Sequence, residues 1–247
     1  MIHRFETIDS TNTRAKEMAD QGAPHGTVLI ARQQTGGRGR LGRSFHSPAG
    51  SGIYMSMILR PDCQAGQLMH LTCATAVAMC DAVEAATDFR PAIKWTNDLV
   101  WGKRKLGGIL TELGFQGSTL AYAVVGIGIN CTQNAEDFPP ELQEMAASLS
   151  MAIGKQVDMA RLELEMMQAL NKMAADLLTE KESILSRYRR DCITLGKAIS
   201  VVCCEQIRHG KALDVDDDGG LVVHFTDGTT ETVAFGEVSI RGMYGYM

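Results

Sequence analysis

The chain has 247 residues, of which 45% are hydrophobic and 21% charged, with a formal net charge of −5 at pH 7. This composition is typical of a folded globular protein of one or two domains, and it excludes a disordered chain, a collagen-like repeat and a disulfide scaffold. No run approaches the ~20 apolar residues of a membrane helix, the N-terminus has no signal-peptide core, and the mild acidity argues against a general nucleic-acid coat, so we expect a cytoplasmic protein without a membrane span.

The first half of the chain predicts an alternation of helices and strands. Ser10 or Thr11 can cap a helix over residues 12–21, and the β-branched run 27–31 is typical of a strand. Apolar residues alternate over 53–59, which predicts a half-buried strand, and recur at helical spacing over 68–86. Further strands are predicted at 92–95, 99–101, 106–113 and 120–129.

The second half predicts helices and then a β-rich tail. Helical patterns cover residues 141–150 and 158 to about 190. Short strands follow at 198–204, 211–215, 221–225 and 230–235. We therefore place a domain boundary near Cys192, between an α+β catalytic-type domain and a small β-barrel. The first domain is expected to have a mixed or antiparallel sheet flanked by helices.

The seven cysteines have the spacing of neither a redox motif nor a metal site. None belongs to a Cys-x-x-Cys pair, and the six histidines are scattered singly. We expect reduced thiols packed as small apolar groups, and the sequence names no metal ligands.

Positive charge is concentrated in one glycine-rich segment. No Asp or Glu occurs between Asp20 and Asp62, whereas five arginines do: Arg32, Arg38, Arg40, Arg43 and Arg60. The run Gly-Arg-Gly-Arg-Leu-Gly-Arg at 37–43 lacks both the phosphate-loop lysine and the dinucleotide glycine spacing. Because guanidinium groups pair bidentately with phosphate and carboxylate, the segment predicts a site for a ligand with several anionic oxygens. The alternative is a solvated surface turn.

Three further clusters have both a functional and a structural interpretation. Residues 94–98 (Lys-Trp-Thr-Asn-Asp) and 104–110 place lysines beside apolar strands, either to meet an anion or as solvated ends of a hairpin. Residues 126–130 (Gly-Ile-Gly-Ile-Asn) end a strand, where the glycines suit close packing. Residues 9–12 (Asp-Ser-Thr-Asn) are suited to a helix cap and also to a neutral polar ring such as a urea.

In order and type, these clusters resemble the catalytic core of the biotin protein ligases. The family's motifs are Ser-Thr-Asn, Gln-Thr-x-Gly-Arg-Gly-Arg-x-Gly-Arg, Lys-Trp-Pro-Asn-Asp, Arg-Lys-x-x-Gly-Ile-Leu-x-Glu and Gly-x-Gly-x-Asn. They stand here at residues 10–12, 34–43, 94–98, 104–112 and 126–130. The resemblance implies a class II synthetase-like catalytic domain at 1–191 and an SH3-like C-terminal domain at 192–247.

The chain departs from the family pattern at four places. Thr96 stands where the family usually has Pro, and Phe45 where Trp is common. Gly36 replaces Ala, which is expected to loosen the arginine segment, and Cys131-Thr132 replace Val-Asn, which removes a second asparagine contact. Phe45 keeps an aromatic face for adenine, although a smaller one.

The resemblance implies ATP-dependent activation of biotin to biotinyl-5′-AMP, followed by transfer to a lysine of a carrier protein. The catalytic residues it implies are Lys105, Arg40 and Asp98. The biotin contacts it implies are Ser10, Thr11, Asn12, Gln34, Arg38, Gly39, Arg40, Lys105, Gly107 and Gly108. The ATP and adenylate contacts it implies are Arg38, Arg40, Arg43, Phe45, Lys94, Asn97 and Asn130.

The resemblance also implies partners and cofactors. ATP is expected with Mg²⁺, and the expected acceptor is the biotin carboxyl carrier protein of acetyl-CoA carboxylase or of another biotin-dependent carboxylase or decarboxylase. A homodimer is one assembly consistent with it. Because the capping motif begins at residue 10, we expect no helix-turn-helix unit ahead of it and no direct DNA binding. The alternatives are a lipoate ligase or octanoyl transferase, and a biotin-binding module without turnover.

Overall fold

The computed structural model describes residues 1–203, 206–234 and 238–242. Cys204 and Phe235, the last residues of two predicted tail strands, lie outside the described residues.

A mixed seven-stranded sheet forms the centre of the N-terminal part. Its strands are β1 (Ile2–Ile8), β2 (Thr27–Gln34), β3 (Gly52–Leu59), β4 (Ala92–Lys94), β5 (Asp98–Trp101), β6 (Arg104–Gln116) and β7 (Thr119–Asn130). The spatial order is β1-β2-β3-β7-β6-β5-β4, with β1 parallel to β2 and the other neighbours antiparallel. The expected mixed sheet is confirmed, but β1 was not predicted, because its exposed residues leave little apolar signal.

Helices cover both faces of this sheet. They are α1 (Thr11–Asp20), α2 (Leu71–Thr87), α3 (Leu149–Ile153), α4 (Met159–Asp176) and α5 (Lys181–Asp191). On one face α1 packs Ala15 and Ala19 into a small cluster with Ile58. On the other face α4 packs on β3, whose alternate residues Met55 and Met57 belong to the main apolar cluster together with residues of α2 and α4. All eight residues of β3 are therefore buried, and the predicted half-buried strand is wrong because helices cover it from both sides.

Helix α2 is the most apolar element of the chain. The segment Ala65–Thr87 is, among the described residues, the one helix long and apolar enough to cross a membrane on length and composition. In the fold, however, 78% of its most apolar window is buried, which is the environment of a core helix. Cys73 and Cys80 of this helix are buried free thiols, as the cysteine pattern predicts.

The predicted helices of the second half are correct only in part. The pattern over 158–190 forms two helices, α4 and α5, separated after Asp176. The pattern over 141–150 instead forms a 3₁₀ turn at Pro140–Leu142 and the short α3. Between them, the backbone at Met145 and Ala147 hydrogen-bonds Lys105 at the start of β6, at 2.7 and 2.8 Å. These tertiary hydrogen bonds replace the bonds of a helix.

The tail forms a separate antiparallel sheet of five strands. They are β8 (Ala198–Cys203), β9 (Gln206–Val215), β10 (Leu221–Phe225), β11 (Thr230–Val233) and β12 (Val238–Gly242), in the order β11-β10-β9-β8-β12. Four of them match predicted strands, and β12 was not predicted. The sheet contacts the N-terminal part at Trp95, whose indole N–H donates to the carbonyl of Gly219 (2.9 Å).

Candidate active site

A cavity of about 350 Å³ opens where the predicted motifs converge. Its walls come from the start of α1, the segment after β2, the β4–β5 turn and strands β6 and β7. Every residue that the sequence assigns to the site lines it except Gly107. Gly107 faces the backbone of β7 instead, because a Cβ there would lie 2.5 Å from the carbonyl oxygen of Gly128. Its expected contact with the ligand stays a prediction.

One end of the cavity is neutral and polar. The Ser10 hydroxyl caps α1 by accepting from the N–H of Thr13 (3.4 Å), as the sequence predicts. The Thr11 N–H donates to Gln34 Oε1 (2.9 Å), and Gln34 Nε2 donates to the Ser47 hydroxyl (3.0 Å). These bonds align a row of side chains that are uncharged at neutral pH and are suited to a neutral polar ring.

Asn12 is held more tightly than the other members of this row. Its Nδ2 donates to the carbonyl of Leu110 (3.1 Å) and to Glu112 Oε2 (3.0 Å), and its Oδ1 lies 2.6 Å from the Ser56 hydroxyl. A side chain at Gly126 would collide with this amide. Both amide protons are therefore committed to the protein, and Asn12 has only acceptor capacity left for a ligand.

The arginine segment forms a small hairpin over the cavity. Phe45 N–H donates to the carbonyl of Gly37 (2.9 Å), and Gly39 N–H donates to that of Arg43 (2.7 Å). Gly37 allows this close approach, since a Cβ there would meet the Phe45 carbonyl and the Ser47 hydroxyl. The turn therefore faces the cavity, while Arg38 and residues 41–44 remain exposed.

The arginines of this hairpin reach different parts of the site. Arg38 Nη2 lies 3.3 Å from Glu112 Oε1, close to Asn12. Arg40 Nη1 donates to Asn97 Oδ1 (3.1 Å) in the β4–β5 turn. Burial lowers the pKa of Arg40 from its usual value, while the charge of Asp98 opposes this. The guanidinium nonetheless stays charged at neutral pH.

Lys105 lies at the other end of the cavity in an ion pair. Its Nζ is 2.6 Å from Asp98 Oδ1 and 5.9 Å from the centre of the Phe45 ring. A Cβ at Gly108 would lie 3.0 Å from the same Nζ, so Gly108 leaves the room that Lys105 occupies. The sequence predicted that Gly108 leaves space for a ligand. Gly108 does face the cavity, but part of this space is occupied by the Lys105 side chain.

Lys94 is the second lysine of this end. Burial lowers its pKa to about 8, with Lys105 and Arg43 adding to the effect and Asp98 opposing it. With these neighbours, the end of the cavity opposite Asn12 is strongly cationic and holds one carboxylate, Asp98, among the described lining residues.

Phe45 and Asn130 line the wall between the two ends. The Phe45 ring covers Gly128, where a Cβ would lie 2.5 Å from Cε1, and packs edge-on against Tyr54. Asn130 donates to the carbonyl of Ala147 (3.1 Å). The glycines of the Gly-x-Gly-x-Asn motif therefore have the close-packing role that the sequence favours.

Sequence reasoning missed two groups of residues. Ser56 is fully buried in β3 and lies within 2.8 Å of Thr11 Oγ1, but a serine inside an apolar strand gives no signal of its own. The segment after β7 supplies apolar lining: Phe138, Leu142, Met145 and Ala146. The sequence pattern over 141–150 predicted a helix, so these residues were not expected to line the cavity.

Comparison with known proteins agrees with this geometry. The model of the Biotin/lipoate A/B protein ligase family matches residues 4–130, and that of the biotin protein ligase C terminal domain matches residues 194–241. The bifunctional ligase/repressor BirA of Bacillus spizizenii is 37% identical over 224 residues, which cover 90% of this chain and 69% of the relative. The biotin–[acetyl-CoA-carboxylase] ligase of Mycobacterium tuberculosis is 30% identical, over 93% and 85% of the two chains.

Solved structures show the same likeness in three dimensions. The biotin protein ligase of Aquifex aeolicus in complex with biotin and ATP superposes with a TM-score of 0.82 at 27% identity, over 98% of both chains. The chain therefore belongs to the Biotin/lipoate A/B protein ligase family. Within it, the chain falls among the biotin protein ligases, since the named relatives and structural neighbours are of that type.

Proposed function

We propose that the protein is an ATP-dependent biotin protein ligase that makes biotinyl-5′-AMP and transfers the biotinyl group to a lysine of a biotin carboxyl carrier protein. The division of one cavity into a neutral polar end and a cationic end carries the proposal. A ureido ring fits hydrogen-bonding groups such as Asn12 and Gln34, whereas a carboxylate and a triphosphate fit Arg40 and Lys105. The M. tuberculosis relative, which is named as a biotin–[acetyl-CoA-carboxylase] ligase, supports the same assignment.

The first half-reaction requires neutralisation of charge. A biotin carboxylate oxygen attacks the α-phosphorus of ATP, the bond to the bridging oxygen breaks, and pyrophosphate leaves with the bonding electrons. Negative charge gathers on the phosphoryl oxygens in the transition state, so fixed cations lower the barrier. Lys105 is suited to bridge the carboxylate and the α-phosphate. Arg40 is suited to hold the adenylate, and Lys94 and Arg43 add positive charge for the phosphates.

The second half-reaction needs access for an amine. The neutral amine of the acceptor lysine attacks the acyl carbon of the mixed anhydride and a C–N bond forms. The bond from that carbon to the phosphate oxygen breaks, AMP leaves with the bonding electrons, and the nitrogen loses one proton to solvent. Asp98 can accept a hydrogen bond from the incoming amine while Lys105 stabilises the leaving phosphate. No covalent intermediate with the enzyme is required.

Magnesium would enter with the triphosphate. Among the described residues no group of three or more His, Cys, Asp or Glu could hold a metal ion, and Asp98 is the one carboxylate in the described lining. Mg²⁺ is commonly bound by one or two carboxylates and substrate phosphates, so Asp98 and the triphosphate would together hold an ion carried by ATP. When bound, the ion supplies positive charge to the phosphate oxygens.

Pyrophosphate release in the presence of ATP tests the proposal. Biotin, octanoate and lipoate are offered separately, and biotin is expected to be the preferred acid, because an apolar chain would leave Thr11, Asn12 and Gln34 unpaired. Preferred turnover of octanoate or lipoate would favour the lipoate ligase or octanoyl transferase alternative. Biotin binding without pyrophosphate release would favour the non-catalytic module.

The remaining assignments are also proposals. The M. tuberculosis relative is named for acetyl-CoA carboxylase, which supports that enzyme's carrier subunit as the acceptor. The division into 1–191 and 192–247 is supported by the change from α5 to the β-rich tail. A cytoplasmic location, a homodimer and the lack of direct DNA binding stay predictions from the sequence.

A further inference from the structure

Glu112 lies at the neutral end of the cavity but does not line it. It belongs to β6 and its side chain is only 18% exposed. Its carboxylate meets three donors: Lys16 Nζ at 2.7 Å, Asn12 Nδ2 at 3.0 Å and Arg38 Nη2 at 3.3 Å. Two of these donors, Asn12 and Arg38, line the cavity. This half-buried carboxylate therefore joins α1 to the arginine hairpin.

The first consequence concerns the orientation of Asn12. An asparagine amide can turn over and exchange its donor and acceptor ends. Because Nδ2 donates to Glu112 and to the carbonyl of Leu110, Oδ1 is left beside Ser56. A carboxylate only accepts hydrogen bonds, so it excludes the reverse orientation. Asn12 therefore presents an acceptor, which selects a ligand that offers an N–H at this point.

The second consequence concerns Arg38. Asn97, the partner of Arg40, lies beside Ile109, since the N–H of Ile109 donates to its carbonyl at 2.9 Å. Glu112 is three residues further along β6, a distance of about 10 Å in an extended strand. Arg38 and Arg40 are therefore fixed at separate places along the strand. Glu112 also neutralises Arg38, whereas Arg40 stays beside the cationic end.

The charge state of Glu112 agrees with its role as an acceptor for Asn12 and Arg38. Burial alone raises the pKa of Glu112, but hydrogen bonds from Lys16 and Asn12 and the charge of Arg38 bring it below its usual value. The group is thus ionised at neutral pH and acts as a pure acceptor.

We propose that Glu112 is a positioning residue for biotin: it fixes Asn12 as an acceptor and holds Arg38 at the biotin end, away from the phosphates. The inference rests on the proposed function and deepens it. It reassigns Arg38, which the sequence placed at both biotin and ATP, to biotin alone. Glu112 acts through these two side chains and touches neither substrate.

The test is Glu112→Gln, which keeps the size and removes the charge. The amide can offer Arg38 and Asn12 its N–H₂ in place of an oxygen, so the KM for biotin is expected to rise about tenfold, the loss typical of one charged hydrogen bond. The KM for ATP and kcat are expected to change less than about twofold, because Arg40 and Lys105 keep their partners. A rise in the KM for ATP equal to that for biotin, or a KM for biotin within about twofold of the parent, would overturn the proposal.

Glu163→Gln is the matched control. Glu163 has a side-chain exposure of 19% and pairs with Arg4 at 2.5 Å, but neither residue lines this cavity. Both substitutions remove one half-buried carboxylate from an arginine, and Glu163→Gln is expected to leave both KM values unchanged. An increase in the KM for biotin in this control equal to that of Glu112→Gln would assign the effect to general destabilisation and overturn the proposal.

A double substitution separates positioning from structure. If Glu112 acts through Arg38, then Glu112→Gln added to Arg38→Gln raises the KM for biotin by clearly less than it does alone. Full additivity would contradict action through Arg38. If Glu112→Gln yields too little folded protein, Arg38→Gln is measured by itself and is expected to raise the KM for biotin while the KM for ATP stays within about twofold; an equal rise in both KM values would overturn the proposal.

The outcome is distinguishable from failure of the proposed function. An unsubstituted protein that releases no pyrophosphate with biotin and ATP would contradict the ligase assignment itself. A parent enzyme that turns over biotin, together with a Glu112→Gln variant of unchanged KM, would contradict only the role of Glu112.

Discussion

Removal of the Lys105 charge gives the sharpest test of the cationic end. Lys105→Met keeps the length of the side chain and removes its ammonium group. Nζ lies 2.6 Å from Asp98 Oδ1, so the substitution both deletes a cation and leaves a carboxylate without that partner. Two separate losses should therefore slow the formation of biotinyl-5′-AMP.

The size of each loss follows from the geometry. A charge-assisted hydrogen bond to the transition state contributes about 1.5–3 kcal/mol. A phosphate oxygen at an ordinary ~2.8 Å on the other side of Nζ would lie about 5 Å from Asp98, where two negative charges repel by roughly 3 kcal/mol at an effective dielectric constant of about 20. Together these terms predict a rate lower by roughly a thousand- to ten-thousand-fold.

The repulsion between Asp98 and the phosphate can be removed without restoring the lysine charge. Asp98→Asn in the Lys105→Met background eliminates the repulsion, and the double variant is expected to be only about ten- to a hundred-fold slower than the parent. The assay is single-turnover formation of biotinyl-5′-AMP with saturating biotin and ATP. Lys172→Met is the control, because it breaks an equally short ion pair (2.6 Å to Asp176) outside the cavity.

Two results would refute the reasoning. Lys105→Met with the parent's rate would show that the lysine charge does not serve the first half-reaction. A double variant as slow as Lys105→Met would show that the charge of Asp98 is not responsible for the larger loss. Melting temperatures of all variants separate either result from unfolding.

Three further predictions address other parts of the site. Ser56→Ala removes a fully buried hydroxyl from Thr11 and Asn12, so we expect a KM for biotin about tenfold higher and a lower melting temperature; an unchanged KM would contradict the role of this network. The pKa of Lys94 is lowered to about 8, so its charge is lost as pH rises through that value. The KM for ATP should therefore rise between pH 7 and pH 9 by about fivefold, and it should stay flat in Lys94→Arg if the reasoning is correct. Arg40→Gly removes the donor to Asn97 and is expected to release biotinyl-5′-AMP, detected as biotin on lysines of an added unrelated protein; retention of the intermediate at the parent's level would count against this role.

Much of the site could be predicted from residue types in local order. The capping role of Ser10 follows from its position before a helical pattern, and the anion-binding character of the arginine hairpin follows from charge and glycine content alone. Six of the seven strands of the N-terminal sheet were also predicted, all except β1, because alternation and β-branching are local properties. The sequence therefore determined which chemical groups the site contains.

The distribution of those groups could not be predicted, because it depends on contacts between distant segments. Glu112 meets Lys16 across 96 residues of sequence and Asn12 across 100, and no local pattern encodes such pairs. Gly107 and Gly108 look equivalent in sequence, but the two faces of a strand point in opposite directions, so only Gly108 reaches the cavity.

The same reason accounts for the errors in the fold. The helical pattern over 141–150 describes real apolar spacing, yet the backbone there bonds to Lys105 and forms a wall of the cavity. Strand β3 alternates in sequence but is buried on both faces, because α1 and α4 pack on its opposite sides. Local spacing in the sequence determined the elements and the reactive groups. The tertiary structure alone decided which face of each element is covered and which charges are paired, because burial and pairing depend on neighbours far away in the chain.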